Sequence, residues 1–208
     1  MNTNLMFEKL RQCAEAYRDH FLNRTLLFIG YKPSSRKTFV FEATFLKTNY
    51  LHLTGLQYDG FAWKFFDECI AGRISDKNLK NRSDGNIRRK LEALPSMLES
   101  GFLNAKMIGA SYKTGVMLST DLLAGNVQAC MGFVTRKETA QETYVPNTVL
   151  KEDIRKVASN TFRVVAVCGK HMNDDTYSEV VFLAKDVKWS LVKIPQEVKA
   201  LVQASFDR

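Results

Sequence analysis

The stretch "TFVFEATFLKTNYLHLTGL", residues 38–56, decides how the chain is read. Its first half alternates. Phe39, Phe41, Ala43 and Phe45 share one face, and Thr38, Glu42 and Thr44 share the other. A period of two marks a half-buried strand. "KTN" at 47–49 then reads as a turn. "YLHLTGL" at 50–56 reads as the returning strand of a hairpin, ended by Gly55. On this reading Leu51 and Leu53 point inward, and Tyr50, His52 and Thr54 form an outward row. That row is either a working surface or the wet side of a sheet.

Upstream, Met6, Leu10, Cys13, Ala14, Tyr17 and Phe21 recur at helical spacing and predict an N-terminal helix within 1–25. "LLFIGYK" follows as a strand and "KPSSRK" as a turn. Downstream, "FAWKFFDECIAG" predicts a helix with Ala62, Trp63, Phe66, Cys69 and Ile70 on its apolar face and Gly72 as its cap. Ile87, Leu91, Leu94 and Leu98 predict another, kinked or restarted at Pro95. From 105 onward the pattern is β: "AKMIGASY", "GVMLST", "QACMGFVTR" and "ETYVPNTVL" are short runs between turns. "LKEDIRKVAS" predicts a helix of about three turns. "FRVVAVCGKH" and "YSEVVFLAK" predict a hairpin, and 190–208 a C-terminal helix. Helices first and mostly antiparallel strands after them make the class α+β, in one domain over 1–208.

The 208 residues are 45% hydrophobic and 25% charged, enough for a substantial core. No signal-like start and no membrane-length apolar run is visible, so the expectation is a cytoplasmic protein with no membrane partner. Cys13, Cys69, Cys130 and Cys168 each sit in an apolar stretch and none forms a C-x-x-C pair, which suits buried reduced thiols. There is no phosphate loop, G-x-G-x-x-G, G-x-S-x-G or H-E-x-x-H. With only three histidines as well, the sequence predicts neither a cofactor nor a metal.

The net charge of +8 favours a polyanionic partner. It is concentrated. Between residues 73 and 90 seven cations, among them Arg82, Arg88, Arg89 and Lys90, face two acids, a net +5. Such a segment is either a phosphate-binding surface or a solvated helix face. His52 carries a side chain that gives or takes a proton near neutrality. Cleaving RNA without a metal needs a base for the 2′-OH, an acid for the leaving oxygen and cations for the developing charge. His52 beside Thr54, with Lys and Arg nearby, would supply those parts. A histidine that merely fixes a hairpin is the alternative. Lys170 and His171, at the end of a predicted strand, would bring further groups to the same site.

"FLKTNYLHLTGL" followed by "AWKFFDECIAGRIS", then "RRKLEALPSML", "YVPNTVLKEDI" and "VVAVCGKH", resembles a phage-associated subfamily of the barnase/EndoU/colicin/RelE-like (BECR) nucleases, with a His-Leu-Thr-Gly motif at 52–55. The resemblance spans roughly residues 38 to 185. It implies N-terminal helices on a twisted, mainly antiparallel sheet with the site on its open face. It implies a metal-independent endoribonuclease of toxin or phage type. Its RNA would be tRNA, rRNA or mRNA, and an antitoxin or immunity protein would be its partner. By matching position, His52 and Thr54 carry over first and Lys90 and Lys170 after them as catalytic residues. Tyr50, Arg82, Arg88, Arg89 and His171 would bind substrate. The rival reading is a non-catalytic nucleic-acid- or protein-binding module on the same basic surface. An ADP-ribosyl transferase, a third, lacks a dinucleotide mark.

Overall fold

A computed structural model describes residues 3–80, 85–98, 105–115, 118–136, 143–186 and 194–203. The N-terminal stripe becomes α1, Thr3–His20, which buries Met6, Leu10, Cys13, Ala14 and Tyr17. β1 (Arg24–Lys32) and β2 (Lys37–Phe45) pair antiparallel with Phe28 opposite Phe41. The alternating strand of the opening stretch therefore makes its hairpin with the segment before it.

The segment after it is a helix, not a strand. α2 spans Asn49–Thr54. Tyr50, Leu53 and Thr54 are its inward residues, spaced i, i+3, i+4, and His52 points out. The Asn49 side-chain oxygen accepts the Leu46 N–H at 2.9 Å at the entry. At the exit Gly55 takes a left-handed φ of 72°, and its N–H donates to the His52 carbonyl at 3.3 Å. Tyr50 is fully buried against Phe65 and Phe66, and its hydroxyl donates to the Leu10 carbonyl at 2.6 Å. Burying Tyr50 and Leu53 contributes about 2 kcal/mol each. That exceeds the roughly 1 kcal/mol spanned by strand propensities, so packing overrides the local alternation.

α3 (Ala62–Ile70) buries Phe65, Phe66 and Cys69, a face rotated from the predicted one, and leaves Trp63 exposed. α4 (Gly85–Leu98) buries Ile87, Leu91, Leu94 and Leu98 as the spacing predicts, with Pro95 inside the helix. The β half comprises β3 (Met107–Tyr112), β4 (Leu122–Gly125), β5 (Cys130–Arg136), β6 (Thr143–Leu150), β7 (Ala158–His171) and β8 (Glu179–Leu183). β4 lies just beyond the run expected at 115–120. α5 (Ile154–Val157) is a single turn where three were expected, because the long strand β7 takes over at Ala158. α6 is Gln196–Leu201.

The sheet order is β1-β2-β6-β5-β4-β3-β7-β8, and β7 also pairs with β1. Seven strands thus close into a ring, with β8 added along β7. Only β2 and β6 pair parallel among the described strands, through Ala43 and Tyr144. The fold is α+β with N-terminal helices on a mostly antiparallel sheet.

Aromatic rings fill the inner face. Phe28 stacks on Phe41 at 4.7 Å, and Phe41 and Phe45 both meet Phe133 edge-on. The buried stripes of α1 to α4 join this same core. The helix-covered face is therefore packed. Leu27, Ile29, Cys168 and Tyr177 form a separate core on the outer face, partly covered by α6. All four cysteines are buried free thiols. Among the described residues no helix is long and apolar enough to cross a membrane.

Candidate active site

Two segments far apart in sequence meet at Gly55. A Cβ built there would lie 2.8 Å from Lys90 Cδ and 3.3 Å from its Nζ, so the lysine stem rests on the bare glycine backbone. Glycine is needed twice over, for the left-handed φ and for this approach. His52 is three positions earlier, in the last turn of α2, and its carbonyl accepts the Gly55 N–H. Its imidazole is exposed. Lys90 comes from the second turn of α4, held by the burial of Ile87 and Leu91 on either side.

Gly55 and Lys90 sit on the wall of a cleft of about 470 Å³ between α4 and the end of β6. Arg89, Lys151 and Glu152 line it as well, with Val149 and Val157 among its apolar residues. Its cations are pre-positioned. Arg89 donates to Glu152 at 2.5 Å, and Lys151 to Glu92 at 2.7 Å. Arg88 reaches Glu92 from one helical turn away at 3.0 Å. Hydrogen bonds from Lys151 and Arg88 pull the Glu92 carboxyl down to about 2. Surface pairs like these add little to stability, because water and salt screen them. Their chief effect is to hold two cations, Arg89 and Lys151, at one opening, where a phosphate can displace the carboxylates.

The other expected site residues fall elsewhere. Thr54 is fully buried; its hydroxyl donates to the Leu51 carbonyl at 2.7 Å and accepts the Leu56 N–H at 3.2 Å, shaping the Gly55 turn. Tyr50 is in the core. The outward Tyr-His-Thr row does not exist, since a helical period separates His52 from its two neighbours. Lys170 lies on the outer face of the sheet, its amine 4.9 Å from the Tyr177 ring centre, while His52 and Lys90 belong to the helical layer on the inner side. His171 is exposed at the end of β7 opposite Arg24. Arg88 and Arg89 are exposed on α4, and Arg82 lies outside the described residues. Arg89 and Lys90 line the cleft; His52 and Arg88 are exposed on α2 and α4 outside its lining, and Lys170 and His171 lie on β7.

A larger groove, of about 940 Å³, runs where β3 and β8 flank β7. It contains none of the residues singled out above, and its Arg163 is committed to Asp186 through both guanidinium nitrogens. Among the described residues no three His, Cys, Asp or Glu side chains cluster as metal ligands would.

A family model described as phage-Barnase-EndoU-ColicinE5/D-RelE like nuclease4 (PBECR4) matches residues 9–186. The chain belongs to this family. The match takes in α2, α4, β6 and the whole Gly55–Lys90 cleft, so the candidate site lies inside the region that defines the PBECR4 nucleases. Comparison with curated proteins and with solved structures gives no match.

The residues that sequence reasoning did not reach are Lys151, Glu152 and Glu92. Lys151 and Glu152 directly follow β6, and nothing in their local pattern says which helix that strand end faces. Glu92 carries a faint signal, an i, i+4 relation to Arg88.

Proposed function

We propose that this PBECR4 chain is a metal-independent endoribonuclease of phage or mobile-element type, acting in the cytoplasm at the Gly55–Lys90 cleft. The observation that carries the reading is the seating of Lys90 on Gly55. It puts a cation beside the helix that presents His52, with Arg89 and Lys151 on the same cleft. His52 serves as general acid or base toward the 2′-OH or the leaving 5′-oxygen. Lys90, Arg89 and Lys151 hold the phosphate and stabilise the charge that gathers on it in the transition state. The 2′-OH is the nucleophile, so the substrate is RNA, and the products carry 2′,3′-cyclic phosphate and 5′-OH ends. Thr54 acts through the backbone, by fixing the turn at Gly55. A toxin-like role with an antitoxin or immunity partner fits a nuclease of this origin.

The test is digestion of RNA in EDTA by wild type and His52→Ala, with the product ends mapped. Cleavage by wild type to cyclic-phosphate ends, lost by about 10²-fold or more in the variant, is the expected result. RNA bound but uncut, with affinity unchanged in His52→Ala, would replace this reading with that of a binding module.

A further inference from the structure

Two large rings stand out of the surface at the start of α3, six and eight residues beyond Gly55 in the chain. Phe61 is 70% exposed and Trp63 48%, and their planes lie within 12° of parallel with ring centres 6.0 Å apart. Aromatic side chains normally bury 150–250 Å² each, so leaving two outside costs hydrophobic free energy with no return inside the fold. Neither ring serves α3, whose core contacts come from Phe65, Phe66 and Cys69.

Resting on the nuclease reading, we propose that Phe61 and Trp63 form a stacking platform for unpaired bases of the RNA held in the cleft, so that the substrate is single-stranded. Three observations favour bases as the occupant. First, position: Phe61 is six residues beyond Gly55, a length of chain that spans at most about 20 Å, the reach of a few nucleotides. Second, charge: both described ends of the segment with net +5 are fixed to the stretch that runs from Gly55 to Phe61. Leu79 bridges to Tyr58, and the Lys80 N–H donates to the Gln57 carbonyl at 3.1 Å, which fixes the 78–80 end to residues 57–59, two positions before Phe61. The Lys90 end is seated on Gly55. Cations at both ends of that stretch suit a phosphate backbone. Asp59 meets Lys80 at 3.6 Å, Glu68 lies 3.9 Å from Lys64, and Asp76 precedes Lys77; these acids oppose the cations, and both pairs leave their lysines well exposed. Third, size: two rings in a polar surround offer roughly 300 Å² at most, well short of the ~800 Å² per partner of a stable protein interface. One or two bases fit it.

The test uses the intrinsic fluorescence of Trp63 in a Trp189→Phe background, Trp189 being the second tryptophan of the chain. The probes are a short deoxyuridine oligomer, which lacks the 2′-OH and is not cleaved, an abasic oligomer of equal length and charge, and a blunt duplex. The single strand quenches Trp63, and the abasic strand and the duplex do not. In the double variant Phe61→Ala/Trp63→Ala, single-strand affinity measured by anisotropy falls about tenfold or more, while affinity for the abasic strand is unchanged. Both rings being largely outside the core, the variant keeps its melting temperature, which is checked alongside. Equal quenching by all three probes, or undiminished single-strand binding without the rings, overturns the platform and assigns the rings to a protein partner. That outcome leaves cleavage at Lys90 standing. A wild type inert on RNA whose Trp63 is still quenched by the single strand alone upholds the platform and refutes the nuclease reading.

Discussion

Lys90 lies across Gly55: the amine of one segment rests where any other residue of the other segment would carry its side chain. This contact joins the exit of α2 to the second turn of α4 and fixes where the cationic cleft opens. It makes Gly55 part of the site without any chemistry of its own.

Gly55→Ala separates geometry from stability. The left-handed φ costs an alanine about 1–2 kcal/mol, which lowers the melting temperature by a few degrees. The new methyl also meets Lys90 Cδ at 2.8 Å and forces the lysine off its seat. RNA cleavage should fall at least tenfold in protein that remains folded at the assay temperature. Cleavage equal to wild type would show that the position of Lys90 is immaterial.

Tyr50→Phe distinguishes a core residue from a substrate contact. The substitution removes the hydroxyl that donates to the Leu10 carbonyl at 2.6 Å and leaves the ring packed. Urea unfolding should show a loss of about 1 kcal/mol. The KM for RNA should not move.

Glu92 provides a pH signature. Its carboxyl is pulled down to about 2 in the folded protein by hydrogen bonds from Lys151 and Arg88, below its ordinary range near 4.5. A depressed carboxyl contributes stability that is fully present above the unfolded value and is lost as pH falls toward the folded one. Wild type should therefore melt slightly above Glu92→Gln at pH 6, and the two curves should converge between about pH 4.5 and pH 2. The carboxylate and its two cations lie at the surface, so the gap is small and shrinks with salt.

How much of this was legible in the sequence varies with the range of the interactions involved. The stripe of α1 was fully readable, because Met6, Leu10, Cys13, Ala14 and Tyr17 keep one helical period over eighteen residues. The α+β class and most β runs followed from alternation and turns. Residues 50–56 were misread because seven residues hold both patterns: Leu51 and Leu53 alternate, while Tyr50, Leu53 and Thr54 sit at i, i+3, i+4. What decides is the pocket that α1 and α3 offer the Tyr50 ring, a contact 40 residues away in the chain. Of the candidate site, His52, Lys90 and Arg89 were found from charge and chemistry. Lys170 was drawn in by its place on a strand, whose parity relative to the helices depends on the pairing of β7 with β1. The ring of strands was out of reach, since its closure depends on that pairing and on one parallel bridge between Ala43 and Tyr144.

The measurement that tests the central claim most directly compares Lys90→Ala with Lys170→Ala in cleavage of the same RNA in EDTA. The two substitutions remove the same charge from opposite sides of the sheet. Loss of a cation that meets the phosphate in the transition state should cost Lys90→Ala about 10²-fold or more in kcat, with Lys170→Ala near wild type. Equal activity of the two variants, or the larger loss at Lys170, would contradict a site at Gly55.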